Sequence, residues 1–171
     1  MTNPLCTFFP DELQELFPKT LQEPSYRSSQ IIDWLYQKGC ASYDQMTNLS
    51  KALKEKLNKT FLFPCLSKKE VLESSDGETT KFLFKLHDNH FVEAVLIRSG
   101  TRRTVCISSQ VGCPARCSFC ASGKKGLIRN LEVAEIVEQV IHINAYLKEA
   151  EEKVTHLVFM GMGEPLENCS A

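Results

Sequence analysis

Apolar positions recur every three to four residues through the first third of the chain and every second residue after it, so helices are expected first and strands next. Asp11–Leu16 predicts a short helix that stops before Pro18. Ser28 or Ser29 predicts the cap of a second helix, which carries Ile31, Ile32, Trp34, Leu35 and Tyr36 and ends at Gly39. Ser50 predicts the cap of a third, where Leu49, Leu53 and Leu57 repeat every four residues as an apolar stripe. Three runs rich in Val, Phe, Leu and Ile follow: Glu70–Ser74, Thr79–Leu86 and Phe91–Ile97. Asp76-Gly77 and Asp88-Asn89 between them are hairpin-turn residues. Gly100 opens a further turn into Thr104–Ser109, completing an antiparallel meander.

An irregular, cysteine-bearing stretch comes next, and then the helical period returns. Asn130 predicts the cap of a helix from Leu131 to about Lys148, with Val133, Val137, Val140, Ile141 and Leu147 on one side. Glu132 and Glu135 in its first turns suit the positive end of the helix dipole. Val154–Met160 reads as a buried strand that runs into Gly161-Met162-Gly163-Glu164-Pro165. Strand, loop, helix and strand make one parallel βαβ unit. In such sheets and barrels ligands bind at the carboxyl ends of the strands, so the cysteine stretch and the glycine segment are expected on one side.

Composition changes this picture little. The chain of 171 residues is 43% hydrophobic and 24% charged, as in an ordinary globular protein. Its net charge of −1 gives no global case for nucleic acid, so any such contact must rest on local groups such as Arg98, Arg102, Arg103, Lys124, Lys125 and Arg129. No signal peptide or membrane span is read, and a cytoplasmic setting is expected. There, clustered cysteines point to metal or catalysis rather than to a disulfide framework.

Cys113, Cys117 and Cys120 form a C-x3-C-x2-C triplet in Gln-Val-Gly-Cys-Pro-Ala-Arg-Cys-Ser-Phe-Cys. Three thiolates this close can share one metal centre and leave a coordination position open. Two readings follow: an iron–sulfur cluster with one free iron, or zinc with Cys106 as a fourth ligand. Cys106 lies inside an expected strand, and zinc leaves the glycine segment unexplained.

The triplet after a first barrel strand, with Gly161-Met-Gly-Glu-Pro after the second, resembles the radical S-adenosylmethionine (SAM) superfamily. The resemblance implies one [4Fe–4S] cluster held by Cys113, Cys117 and Cys120, with the SAM amino end met by Gly163 and Glu164. It also implies that the βαβ unit opens a partial (β/α) barrel. Three units are therefore expected: a helical RNA-binding-like unit at 1–64, an antiparallel β extension at 65–103 and the start of an incomplete barrel at 104–171.

A narrower resemblance, to the RlmN family, rests on several motifs. These are Tyr26-Arg27 with Gln30 and Trp34, Ser74-Ser75-Asp76-Gly77, Val92-Glu93-Ala94-Val95, Cys106-Ile-Ser-Ser-Gln-Val-Gly-Cys113 and Arg129-Asn130-Leu131. It implies methylation of adenosine carbon 2 in 23S rRNA and tRNA by a monomer supplied by an electron donor. Glu93 then matches the acceptor of the carbon 2 proton, and Cys106 the thiol that releases product through a disulfide. By alternation Glu93 shares a face with Phe91, Val95 and Ile97, where apolar neighbours would raise its pKa. Two alternatives stand beside this function: methylation of adenine carbon 8 by the related family, and a non-catalytic Fe–S or zinc module that binds RNA. The family's methyl-carrying cysteine has no match here and a full barrel needs ~250 residues. The chain is therefore expected to be a fragment that cannot turn over alone, with the contacts of its helical unit and meander mostly internal to that region.

Overall fold

A computed structural model describes residues 3–124 and 126–169. Helix α1 (Pro10–Leu16) does not stop at Pro18 but widens into a π-type turn, Phe17–Leu21. Pro18 has no N–H to give the preceding turn, and the chain widens where a regular helix would need that donor. Helix α2 (Tyr26–Ile32) starts ahead of both expected caps, and the Ser28 hydroxyl donates instead to the Ser25 carbonyl at 2.6 Å. A second wide turn, Asp33–Gln37, carries the run to Gly39. Helix α3 (Lys51–Thr60) begins as expected, with the Ser50 hydroxyl accepting from the Leu53 amide at 3.2 Å. Two short strands, β1 (Asn3–Pro4) and β2 (Phe61–Leu62), tie the ends of this helical unit together in parallel.

The meander comprises β3 (Ser67–Glu73), β4 (Thr79–Lys85), β5 (Phe91–Ser99) and β6 (Arg102–Cys106), paired antiparallel in chain order. Alternation decides its faces: Phe82, Phe84, Val92, Ala94, Leu96 and Val105 are fully buried on one side. A small hairpin of β7 (Gln110–Gly112) and β8 (Leu127–Asn130), outside the expected elements, pinches the base of the cysteine loop. Gly112 has φ +78, and a side chain there would collide with the Gly126 carbonyl. Helix α4 (Val133–Leu147) then crosses to β9 (His156–Val158), which lies parallel to β6 with Thr104 opposite His156. This is the expected βαβ unit. Asn130, however, ends β8 rather than capping α4. The cap is Glu132, whose amide donates to the Glu135 carboxylate at 2.9 Å. β9 is also shorter than the expected strand and stands at the sheet edge.

Two apolar cores result, one made of residues 5–65 and one beginning at Leu66. Helix α4 serves both: Ala134 and Ile141 enter the first core, Ile143 and Leu147 the second. The helical unit is therefore packed mostly on itself, with α4 adding contacts from beyond the meander. Two adjacent buried side chains on α4 complete the join. Glu138 accepts from the amides of Cys65 and Leu66 at 2.6 and 2.9 Å, while Gln139 grips both backbone groups of Ser108 at 2.9 and 3.0 Å. Beyond β9 the pattern leaves apolar surface open. Leu157 and Phe159, about half exposed, line a groove of about 330 Å³ with Ile107, Ile136 and Val140.

Burial pushes the Glu138 carboxyl up to about 7, and burial pushes His142 down to about 4. A raised carboxyl favours the fold below its unfolded pKa and loses that contribution as pH rises through 7. The neutral imidazole does the opposite, giving up stability as pH falls from ~6.5 towards 4. Glu138→Gln should therefore remove a loss on the order of 2 kcal/mol between pH 5 and pH 8, read by denaturant unfolding at both values. An unchanged pH slope would mean that Glu138 is not held as described.

Candidate functional site

The site is built at the carboxyl ends of β6 and β9, where pairing continues past both strands. The Ile107 amide donates to the Val158 carbonyl at 2.9 Å, and the Gly161 amide to the Ile107 carbonyl at 3.1 Å. Further along, the Ser109 and Gln110 amides both donate to the Met162 carbonyl, at 2.9 and 3.2 Å. Such close backbone approach requires glycine. A Cβ on Gly161 would stand 2.7 Å from the Ser108 hydroxyl. One on Gly163 would stand 2.7 Å from both the Gln110 side chain and the Ser109 hydroxyl. Gly163 also has φ +108, which side chains rarely adopt. Glu164 follows, its carboxylate accepting from the Leu166 amide at 3.2 Å as the cap of the turn Pro165–Asn168. The cysteine loop and the glycine loop thus meet through residues 107–110.

The cysteine loop hangs from the β7–β8 hairpin. Cys113 is buried at its base, Cys120 half-buried and Cys117 exposed, and Phe119 between them is 90% exposed. Backbone N–H groups of Gly123 and then Ser122 hold the Cys120 thiol below the ordinary thiol range. All eight cysteines are free. Among the described residues no three His, Cys, Asp or Glu side chains converge on a metal point, so the three thiols must turn inward to share one centre. Their donor chemistry does fit an iron–sulfur cluster: three soft ligands on one short loop, one of them with its thiolate favoured.

Glu93 and Cys106 share the open face of the sheet. Cys106 lies opposite Val95 on β5 and Val158 on β9, and burial raises its thiol pKa. Glu93 is not enclosed by apolar neighbours as expected. Its side chain is 44% exposed, and the Lys81 ammonium stands 3.1 Å from its carboxylate. Lys81 was missed by the sequence reading, although alternation along β4 puts it on that face with Leu83 and Lys85. Three of the six basic groups considered for local patches are spent inside the fold. Arg129 bridges Asp88 at 2.6 Å and grips Glu135 at 2.7 and 2.8 Å. Arg103 pairs with Glu152, and Arg98 donates to Thr80 and Gly77. Arg102 and Lys124 are exposed, and Lys125 lies outside the described residues.

Comparison with known proteins agrees with this geometry. The family model for the ribosomal RNA large subunit methyltransferase N-terminal domain matches residues 4–62. The chain is 56% identical over 146 residues to a probable dual-specificity RNA methyltransferase RlmN 2 of Protochlamydia amoebophila, covering 85% of this chain and 41% of that protein. It is 45% identical over 164 residues to a probable dual-specificity RNA methyltransferase RlmN of Bacillus subtilis, covering 96% and 45%. A crystal structure of a radical SAM methyltransferase from Sphaerobacter thermophilus superposes with a TM-score of 0.94 at 40% identity, over 99% of this chain and 49% of that one. The architecture is therefore a partial radical SAM fold. Within that class, the chain is similar over nearly its whole length to RlmN proteins. It spans just under half the length of these relatives.

Gly163→Ala should destabilise the protein by about 1–3 kcal/mol, because the methyl group meets both the φ penalty and the 107–110 backbone. Urea unfolding measures this. Wild-type stability in that variant would show that the glycine loop is not seated against Gln110.

Proposed function

We propose that this chain supplies the cluster-binding and methionine-binding part of a radical SAM methyltransferase acting on carbon 2 of adenosine in 23S rRNA and tRNA. The observation that carries the reading is the ladder from Ile107 to Met162, which brings the cysteine and glycine loops to one side of two parallel strands. Cys113, Cys117 and Cys120 would hold a [4Fe–4S] cluster, which when bound supplies the electron for reductive cleavage of SAM. Gly163 offers close backbone approach to the methionyl end of SAM, and the Glu164 carboxylate suits its ammonium.

Glu93 takes the carbon 2 proton of the base. The Lys81 ammonium stands beside that carboxylate, on the open face that the RNA covers. The Cys106 thiol forms a disulfide with the family's methyl-carrying cysteine as the bond from that sulfur to the transferred carbon breaks, the carbon leaving with the electron pair and taking a proton to become the methyl group. The units 1–64 and 65–103 carry the RNA, and 104–171 begins the catalytic barrel. An electron donor, a monomeric enzyme and a cytoplasmic setting belong to the same reading.

The test uses a protein that joins this chain to the remaining half found in its relatives. Mass analysis of nucleosides from treated RNA should give 2-methyladenosine. 8-Methyladenosine as sole product, or RNA binding without SAM cleavage, would overturn the assignment.

Glu93→Gln in the same protein should leave SAM cleavage intact, cut turnover by about 10²-fold or more and accumulate a protein–RNA adduct on denaturing gels. Wild-type turnover would reduce Glu93 to an ordinary partner of Lys81.

A further inference from the structure

Ser108 and Gln110 are fully buried polar residues with no role in the reaction described above. The Ser108 hydroxyl donates to the Glu93 carbonyl at 2.6 Å and accepts from the Met162 amide at 2.8 Å. Gln110 uses both ends of its side chain. Its carbonyl oxygen accepts from the Glu164 amide at 2.8 Å, and its amide nitrogen donates to Asn130 at 2.8 Å. Asn130 in turn donates to the Glu167 carbonyl at 3.3 Å, just past the glycine loop. The loop is thus gripped from both sides by one network, while Gln139 fixes the Ser108 backbone from α4.

These bonds divide the loop by function. Met162 N, Met162 O and Glu164 N are all directed inward onto residues 108–110. The N–H and C=O of Gly163 itself and the Glu164 carboxylate lie outside this ladder, and they are the groups assigned above to the methionyl end of SAM. We propose that Ser108 and Gln110 are positioning residues that fix the loop's outward-facing groups in the geometry that receives the ammonium and carboxylate of SAM. This rests on reading 161–165 as the methionine-binding segment. Ser108 has a second consequence: the same hydroxyl ties that loop to the backbone of Glu93, so the SAM loop and the proton acceptor are held in one register.

The test uses this chain with its cluster reconstituted anaerobically and then reduced, followed by electron paramagnetic resonance as SAM is added. Gln110→Leu should keep wild-type iron content but need about tenfold more SAM, or more, for half the spectral change, because the buried Glu164 amide loses its acceptor. Gln110→Glu retains an oxygen facing that amide and should stay within about threefold of wild type. Ser108→Ala should weaken the SAM response as Gln110→Leu does. Wild-type SAM titrations for both Gln110→Leu and Ser108→Ala would overturn the proposal.

If Gln110→Leu does not fold, hydrogen exchange on the unmodified chain decides: the Met162 and Glu164 amides should be protected, and open-loop exchange rates would overturn it. A wild-type chain with a full cluster and no spectral response to SAM would instead sink the methionine-binding reading itself, and this inference with it. A normal wild-type response with indifferent variants removes only the positioning role.

Discussion

Extended backbone that leaves a sheet must find new partners for its amides and carbonyls, and at residues 107–110 that requirement organises the whole carboxyl end of the molecule. Once β6 ends, its continuation is fully buried, so each polar group of Ser108, Ser109 and Gln110 needs a bond. The fold meets this need by drawing in partners from residues 131–139 and 161–168. Gln139 of α4 takes the Ser108 backbone, Asn168 and Leu131 donate to the Ser109 carbonyl, and the Gly161–Glu164 loop closes over the rest. Buried networks of this kind are stabilising only when every member is satisfied, which makes the arrangement specific. The glycines follow from it, since side chains at 161 and 163 would occupy the space the ladder needs.

Helix α4 is the mechanical partner of that ladder. Its neighbouring Glu138 and Gln139 reach the start of the β extension at residues 65–66 and the site backbone at Ser108. Apolar residues of the same helix fill both cores. A displacement of α4 would therefore be felt in the helical unit and in the glycine loop together. The ion pairs of Arg129 with Asp88 and the almost fully buried Glu135 fix the start of α4 against the β7–β8 hairpin, so the cysteine loop is anchored to the same frame.

Much of this was legible from periodicity and turn chemistry. Ser50 caps its helix, the three meander strands fall where alternation puts them, and the βαβ unit is parallel. What escaped the sequence depends on tertiary partners. Asn130 has the chemistry of a helix cap, yet tertiary pairing draws it to Gln110, and Glu132 with Glu135 caps the helix instead. Pro18 signals a stop only if the helix keeps its normal pitch, and it widens there. Arg98, Arg103 and Arg129 read as surface charge because their acidic and carbonyl partners are distant in sequence or lie across a turn. Glu93 was expected in an apolar setting because alternation names its strand neighbours but not Lys81 on the next strand. The triplet spacing named three candidate thiols without stating which way their side chains point.

The central claim is that the cysteine loop and the glycine loop form one site, and iron-edge anomalous diffraction from crystals of the reconstituted chain with SAM tests it most directly. The account predicts an iron peak bonded to Cys113, Cys117 and Cys120, with the methionyl ammonium of SAM about 3 Å from the Glu164 carboxylate. Zinc held by Cys106 with the triplet, or SAM seated away from residues 161–164, would contradict it.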